Sequence, residues 1–217
     1  MSLKYTFPFN SCEIPNKNGI AQPYSAFINL LSCFTVLYFI YYSNNFYSKL
    51  FLFSVLLFNI SHTFSHSIHL GHLGKYKNLH FLLTHYTAII STIFLLILLT
   101  KISNTFPNTF FIYFLFFLYL LDLIFVVYNF SHIYNIAIFL LILVFLILYY
   151  YTFLPNIIKQ NIIYIVILSL FAFMFQIFEI YYCKKILDIN PKFPLHIVVE
   201  ICVFFPILLI CKCFYKN

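Results

Sequence analysis

The sequence predicts an all-α integral membrane protein, a bundle of seven transmembrane helices. Its residues are 64% hydrophobic and only 8% charged, whereas soluble domains are about half apolar and a quarter charged. The mean hydropathy is +0.98, and apolar windows of roughly 20 residues, enough for a helix to cross a bilayer core about 30 Å thick, recur along the chain. These windows are continuous rather than alternating, which argues against the strands of a transmembrane barrel.

Seven windows define the elements, in chain order 22–42, 48–69, 79–100, 108–128, 132–153, 162–182 and 195–214. The polar tail 1–21 lacks the apolar segment of a signal peptide, so we expect the first helix to direct membrane insertion. Single lysines or lysine pairs mark the window edges: Lys49, Lys75, Lys77, Lys101, Lys159, Lys184 and Lys185. We expect a single domain, 1–217, without repeats.

The formal net charge of +7 does not indicate nucleic-acid binding. The lysines are scattered through short connections, where they anchor helix ends at the membrane edge. They divide almost evenly between the two predicted sides, so they do not fix the orientation. We therefore expect a lipid bilayer and a lipid, not nucleic acid, as the partners.

The stretch "FNISHTFSHSIHLGHLGKYKNLHFLLTHY" holds six of the chain's eight histidines. With seven crossings, helix 2 ends, helix 3 begins, helix 6 ends and helix 7 begins on the side of the N-terminus. Polar residues that are distant in sequence are therefore expected at one depth. They are Cys12, Glu13, His69, His80, Glu179, Cys183, His196 and Glu200.

In "PLHIVVEI", His196 and Glu200 are four residues apart and fall on one helix face. Ionisable groups that face lipid cost on the order of 3 kcal/mol, so both should point into the bundle. There they either pair to hold helices together or bind a metal, since imidazole and carboxylate suit zinc. Serines and histidines on helix 2 could serve either purpose.

The remaining histidines of this stretch have different expected roles. We expect His62, His66 and His85 to support the site or to pack, rather than to bind a metal. His72, in "GHLGKYKN", is expected to be solvated.

Several segments together resemble the alkaline ceramidases. In "SHSIH", Ser65 and His69 match the family's Ser-x-x-x-His in helix 2, and His80, eleven residues later, falls where the family has an Asp. His196 and Glu200 match its His-x-x-x-His in the last helix. The pieces "SCEIPN", "SAFINLLS" and "FEIYYC" follow in the same order as the family's tail, helix 1 and helix 6 motifs.

This resemblance implies a zinc-dependent hydrolase that cleaves ceramide, an N-acyl sphingoid lipid, into a sphingoid base and a fatty acid. It implies His69, His196 and Glu200 as zinc ligands, with His80 holding or deprotonating the water. A rival assignment makes His80 the third ligand and frees Glu200 as general base. Ser65 would donate a hydrogen bond to the developing oxyanion. Relative to the family, His80 replaces a carboxylate by an imidazole and Glu200 replaces an imidazole by a carboxylate. The set of three histidines and one carboxylate is therefore retained.

The resemblance also implies a disulfide between Cys12 and Cys183. Both lie on the N-terminal side, which would then be the oxidising lumen of the endoplasmic reticulum or Golgi. No calcium site is expected: Glu13 remains, but the family's Asp is replaced at Asn10 or Ser11 and its helix 1 Glu at Ala26.

Two other classes of function compete with the hydrolase. One is a non-catalytic seven-helix receptor, scaffold or pseudoenzyme with a structural zinc; the other is a transition-metal transporter, which the clustering of histidines near one membrane edge disfavours. Asp122, in "YLLDLIF", is not explained by the family pattern. It either hydrogen-bonds across the bundle or has a function of its own.

Overall fold

The computed structural model of the 217-residue chain describes residues 12–13, 16, 19–69, 79–128, 132–190 and 193–215. Within these ranges the structure is all-helical, with seven long helices and one short 3-10 turn. The helices are α1 Pro23–Tyr42, α2 Phe46–Ser67, α3 Leu79–Ser103, α4 Thr109–Val127, α5 His132–Tyr150, α6 Asn156–Ile189 and α7 His196–Phe214; the 3-10 turn is Tyr151–Phe153.

Short polar residues begin several of these helices. Asn45 Oδ1 accepts hydrogen bonds from the backbone of Tyr47 and Ser48 at the start of α2, at 2.8 and 3.3 Å. Asn108 does the same for Phe111 at the start of α4, at 2.8 Å. These caps satisfy amide groups that have no partner within the helix.

Six of the helices are long and apolar enough to cross a membrane, namely α1 and α3 to α7. The protein is therefore a multi-pass membrane protein. Helix α2 has sufficient length at 22 residues, but the polar residues of its second half lower its hydropathy, and it is not among the six. Of the seven predicted membrane spans, six meet the length and hydropathy expected of a membrane-spanning helix.

The largest difference from the predicted elements concerns α6. The apolar window covers 162–182, but the helix runs through 34 residues, Asn156–Ile189. At 1.5 Å per residue it is about 50 Å long and exceeds a bilayer core of about 30 Å. Lys159, Lys184 and Lys185 flank the apolar window but lie within the helix. Lysine lowers the hydropathy of a segment, yet it is a good helix former.

Successive helices run in opposite directions, so the start of one helix lies beside the end of its neighbour. Ala21 and Gln22, just before α1, donate backbone hydrogen bonds to Ser67 and His66 at the end of α2, at 3.0 and 2.8 Å. At the opposite end, the rings of Phe51 and Phe214 meet 5.5 Å apart. Helix α1 packs between α2 and α7, α7 packs on α6, and α3, α4 and α5 complete the bundle.

The two halves of the bundle differ in polarity. The apolar core includes the first part of α2, the end of α3 and the end of α7, for example Leu52, Leu98 and Cys211. Most of the buried ionisable and amide side chains lie toward the other end: Glu13, Gln22, Asn29, Asn59, His66, His69, Asp122, Asn135, Gln176, Glu179, His196 and Glu200. The candidate site lies in this polar half.

Candidate metal centre

The first turns of α7 carry the acidic member of the site. Glu200 is 2% exposed, and its Oε1 lies 3.0 Å from Nε2 of His196, one helical turn earlier. The predicted placement of these two side chains on one inward face is confirmed. A buried carboxylate needs partners that replace its hydration, so the surrounding groups decide what it does.

Helix α2 brings two imidazoles to the same carboxylate oxygen. His66 Nε2 lies 3.1 Å and His62 Nε2 3.8 Å from Glu200 Oε1. The two imidazole nitrogens are 3.1 Å apart. Among the described residues, His62, His66 and Glu200 form the group whose ligand atoms are close enough to hold a metal ion.

These separations fit a tetrahedral metal. Zinc binds nitrogen and oxygen at about 2.0–2.2 Å, so neighbouring ligand atoms of a tetrahedral site are roughly 3.3–3.6 Å apart. The three observed separations, 3.1, 3.1 and 3.8 Å, bracket that value. Two imidazoles and a carboxylate also match the ligand types of catalytic zinc.

In His66 and His196, the other ring nitrogen, Nδ1, lies beside an acceptor oxygen. Nδ1 of His66 contacts Oε1 of Gln22, and Nδ1 of His196 lies 2.8 Å from Oε2 of Glu179. Amide and carboxylate oxygens only accept, so each of these contacts calls for a proton on Nδ1, and Nε2 of both histidines, which faces Glu200 Oε1, can bind a cation or accept a proton only in the form that carries no proton there. This arrangement is typical of histidines that bind metals or accept protons.

Two hydrogen-bonded chains connect the site to the N-terminal segment. Asn29 Nδ2 donates to Glu200 Oε2 at 2.9 Å and also to the carbonyl of Ser25 at 3.0 Å. Glu13 accepts from the backbone of Tyr24 and Ser25, at 2.9 and 3.2 Å, and from the Ser25 hydroxyl. The orientation of Glu200 thus depends on the start of α1.

The second chain runs through the disulfide. Cys12 and Cys183 are bonded, with Cα atoms 5.4 Å apart, which confirms the predicted pairing. The backbone N–H of Cys12 donates to Glu179, and Gln176 Nε2 lies 3.3 Å from the same carboxylate. The bridge therefore fastens the segment that helps to hold Glu179, and Glu179 in turn orients His196.

The predicted site residues are distributed unevenly around this centre. His196 and Glu200 belong to it. His69 is buried but follows the end of α2, beyond Ile68, whose backbone is extended, and it lies outside the group of possible ligands among the described residues. His80 begins α3, but its side chain lies outside the described residues, as does His72. The ligand and base roles assigned to His69 and His80 stay predictions.

Ser65 faces α3 rather than the carboxylate. Its hydroxyl lies 2.9 Å from the Ser61 carbonyl and 2.9 Å from the hydroxyl of Thr84. Thr84 lines the neighbouring cavity, so a hydroxyl is present there that the sequence analysis did not single out. The oxyanion role of Ser65 stays a prediction.

A cavity of about 260 Å³ opens beside the centre. Apolar side chains of α2, α3, α5, α6 and α7 form most of its wall, with His62, His196 and Glu200 among its polar groups. A space of this size is near the lower end of the roughly 300–1,000 Å³ that is usual for small-molecule sites. Its wall suits a hydrocarbon chain.

Sequence reasoning assigned supporting roles to His62 and His66, and it missed Gln22 and Thr84. The available signal was the i, i+4 spacing of His62 and His66, the same spacing that singled out His196 and Glu200. The preference for His69 came from the family motif. The approach of His62 and His66 to Glu200 depends on how α2 lies relative to α7, which the spacing of residues does not encode.

Fold and site together define a multi-pass helical membrane protein with a buried histidine–carboxylate group that could hold a metal ion. Comparisons with known protein families, with curated proteins and with solved structures found no match.

Proposed function

We propose that the protein is a metal-dependent intramembrane hydrolase that cleaves the amide bond of an N-acyl sphingoid lipid such as ceramide. The observation that carries the proposal is the group of His62, His66 and Glu200, whose separations suit zinc and of which His62 and Glu200 line an apolar cavity. The sequence resemblance to alkaline ceramidases supplies the substrate class.

His62, His66 and Glu200 are the residues that would hold the metal. A bound zinc would polarise the substrate carbonyl and lower the pKa of water to about 7. Three protein ligands leave room for that water and the substrate. Asn29 orients the Glu200 carboxylate, and Gln22 orients the His66 ring. Residues that hydrogen-bond to metal ligands set the direction and the basicity of those ligands.

His196 is assigned the proton transfer. Its Nδ1 is held by Glu179 at 2.8 Å, and its Nε2 faces the ligand carboxylate at 3.0 Å. Nε2 would take a proton from the attacking water and return it to the leaving nitrogen. Water oxygen joins the acyl carbon, the C–N bond breaks and both water protons are accounted for in the fatty acid and the amine. This assignment moves His196 from the ligand role that the family motif gave it.

Two features of the topology belong to the same proposal. Helix α2 is the seventh crossing, its polar half shielded from lipid by α1, α3 and α7. The N-terminal side faces the lumen of the endoplasmic reticulum or Golgi, where the Cys12–Cys183 disulfide would persist.

The test combines metal analysis with a lipid assay. Protein purified in detergent with zinc is compared with His66→Ala and with His72→Ala, a histidine outside the described residues, as control. We expect about one zinc per chain in the parent and the control, loss of zinc in His66→Ala, and release of sphingoid base from ceramide only by zinc-loaded protein.

Each other outcome has a definite meaning. Zinc without hydrolysis of any N-acyl lipid would replace the hydrolase by a receptor, scaffold or pseudoenzyme with a structural metal. Absence of bound zinc would reduce the histidines and Glu200 to a hydrogen-bonded helix contact.

A further inference from the structure

A second buried polar group lies on the wall of the same cavity. Asp122 of α4, Asn135 of α5 and His85 of α3 all line it together with His62, His196 and Glu200. Asp122 is 4% exposed and Asn135 fully buried. Asp122 is the single charged residue in the sequence of α4, which is otherwise built from apolar and aromatic residues and one threonine.

The contacts of this group leave one buried acceptor oxygen without a donor among the described residues. Asn135 Nδ2 donates to Asp122 Oδ1 at 2.6 Å and to the Asp122 carbonyl at 3.0 Å. Nδ1 of His85 lies 4.0 Å from Asp122 Oδ2, beyond hydrogen-bond distance. Asn135 Oδ1 is buried and has no hydrogen-bond partner among the described residues.

A purely structural pair would be expected to satisfy its polar atoms, because a buried acceptor without a donor is costly. Here Asn135 Oδ1 lacks a donor among the described residues, and Asp122 Oδ2 faces the His85 imidazole at 4.0 Å, at the wall of a cavity that is otherwise mostly apolar. The complementary ligand carries a hydrogen-bond donor, a hydroxyl or an amine, on an apolar chain.

We propose that Asp122 and Asn135 form a substrate-positioning site that binds a hydroxyl group of the lipid while its amide lies at the His62–His66–Glu200 group. The inference rests on the proposed function and deepens it. Two polar anchors in one apolar cavity fix how far the chain enters and which bond meets the metal group. Correct placement of the reacting bond contributes to catalysis apart from the chemistry itself.

The experiment compares two lipids that differ by one hydroxyl, an N-acyl sphinganine and its 1-deoxy analogue, on zinc-loaded protein. The variants are Asp122→Asn, which keeps the shape, and Asn135→Leu. Thr100→Val is the control, because it removes a 2.8 Å contact with Tyr150, between α3 and α5, in the apolar half of the bundle. The kcat and KM of hydrolysis and the lipid-induced rise in unfolding temperature are measured for each.

We expect the parent protein and the control to prefer the hydroxylated lipid by about 10-fold or more in kcat/KM, since sites built to bind a hydroxyl reject analogues that lack it. Asp122→Asn and Asn135→Leu should lose most of this preference and keep their zinc. Equal losses on both lipids, or an unchanged preference, would overturn the inference.

The binding measurement separates the inference from the proposed function. Hydroxyl-selective stabilisation of the parent that is lost in Asp122→Asn would support the positioning site even if neither lipid were hydrolysed. If the parent protein hydrolysed both lipids at equal rates, the proposed hydrolase activity would be supported and the positioning site would be refuted.

Discussion

At the scale of single residues, the carboxylate of Glu200 organises the site. Its Oε1 is approached by His62, His66 and His196 at 3.0–3.8 Å, and its Oε2 accepts from Asn29. A carboxylate in this setting either shares protons with the imidazoles or shares a cation with them. The two cases respond differently to substitution of individual histidines.

The first prediction separates the structural assignment of the ligands from that of the family motif. His66→Ala should lower zinc content at least 10-fold, because it removes one of the three proposed ligands, whose Nε2 lies 3.1 Å from each of the other two ligand atoms, whereas His69→Ala should retain the metal. Zinc measured by mass spectrometry on protein purified in parallel decides the matter. Loss of zinc in His69→Ala with retention in His66→Ala would restore the motif-based assignment.

His196 offers a second residue-scale prediction. If His196 transfers protons, His196→Gln should keep zinc and lower kcat by about 10²–10⁴-fold, the usual contribution of a general acid–base group. Glu179→Gln should produce a smaller fall, since it weakens only the orientation of the imidazole. Single-turnover hydrolysis alongside zinc analysis measures both; zinc loss in His196→Gln would make this histidine a ligand.

At the scale of helices, the site depends on how α1 begins. Gln22 immediately precedes α1, and its backbone and side chain both contact His66 of α2. The Glu13 carboxylate accepts hydrogen bonds from the backbone N–H groups of Tyr24 and Ser25, which have no partner within the first turn of the helix. The N-terminal segment thus serves as a cap for α1 and as a support for the candidate ligands.

Removing the charge of this cap should destabilise the protein measurably. Glu13→Gln is expected to cost about 1–2 kcal/mol, because an amide cannot accept all three hydrogen bonds on its single oxygen. For a chain of this size that corresponds to a fall in unfolding temperature of about 2–8 °C. Asp188→Asn, at an exposed position of α6, is the matched control, and an equal shift in both variants would contradict the capping role.

At the scale of the whole molecule, the bundle separates a polar half from an apolar half. Buried Glu, His and Asp side chains gather at one end, and the main apolar core lies toward the other. Backbone hydrogen bonds between the start of α1 and the end of α2, together with the disulfide, hold the polar half together. The apolar half packs the helices together and so keeps the candidate ligands, which come from α2 and α7, in position.

The number of crossings is testable at this scale. If α2 crosses with the six other helices, the two termini lie on opposite sides, so a glycosylation acceptor appended to the N-terminus should be modified and one at the C-terminus should not. An acceptor inserted in the 104–108 connection, expected opposite to the N-terminus, serves as control. Modification at both termini would mean six crossings and a different placement of α2.

The sequence by itself determined the helical class, most element positions and the inward face of His196 and Glu200, because hydropathy and the 3.6-residue repeat are local properties. The Cys12–Cys183 disulfide, which the family resemblance predicted, is also present in the structure. Only the tertiary structure showed that His62 and His66 approach Glu200. Positions 66 and 69 differ by less than one turn, about 4.5 Å along an α-helix. The end of α2 at Ser67 and the packing of α2 against α1 and α3 determine which of these positions comes near Glu200, and this packing depends on contacts between residues far apart in the chain.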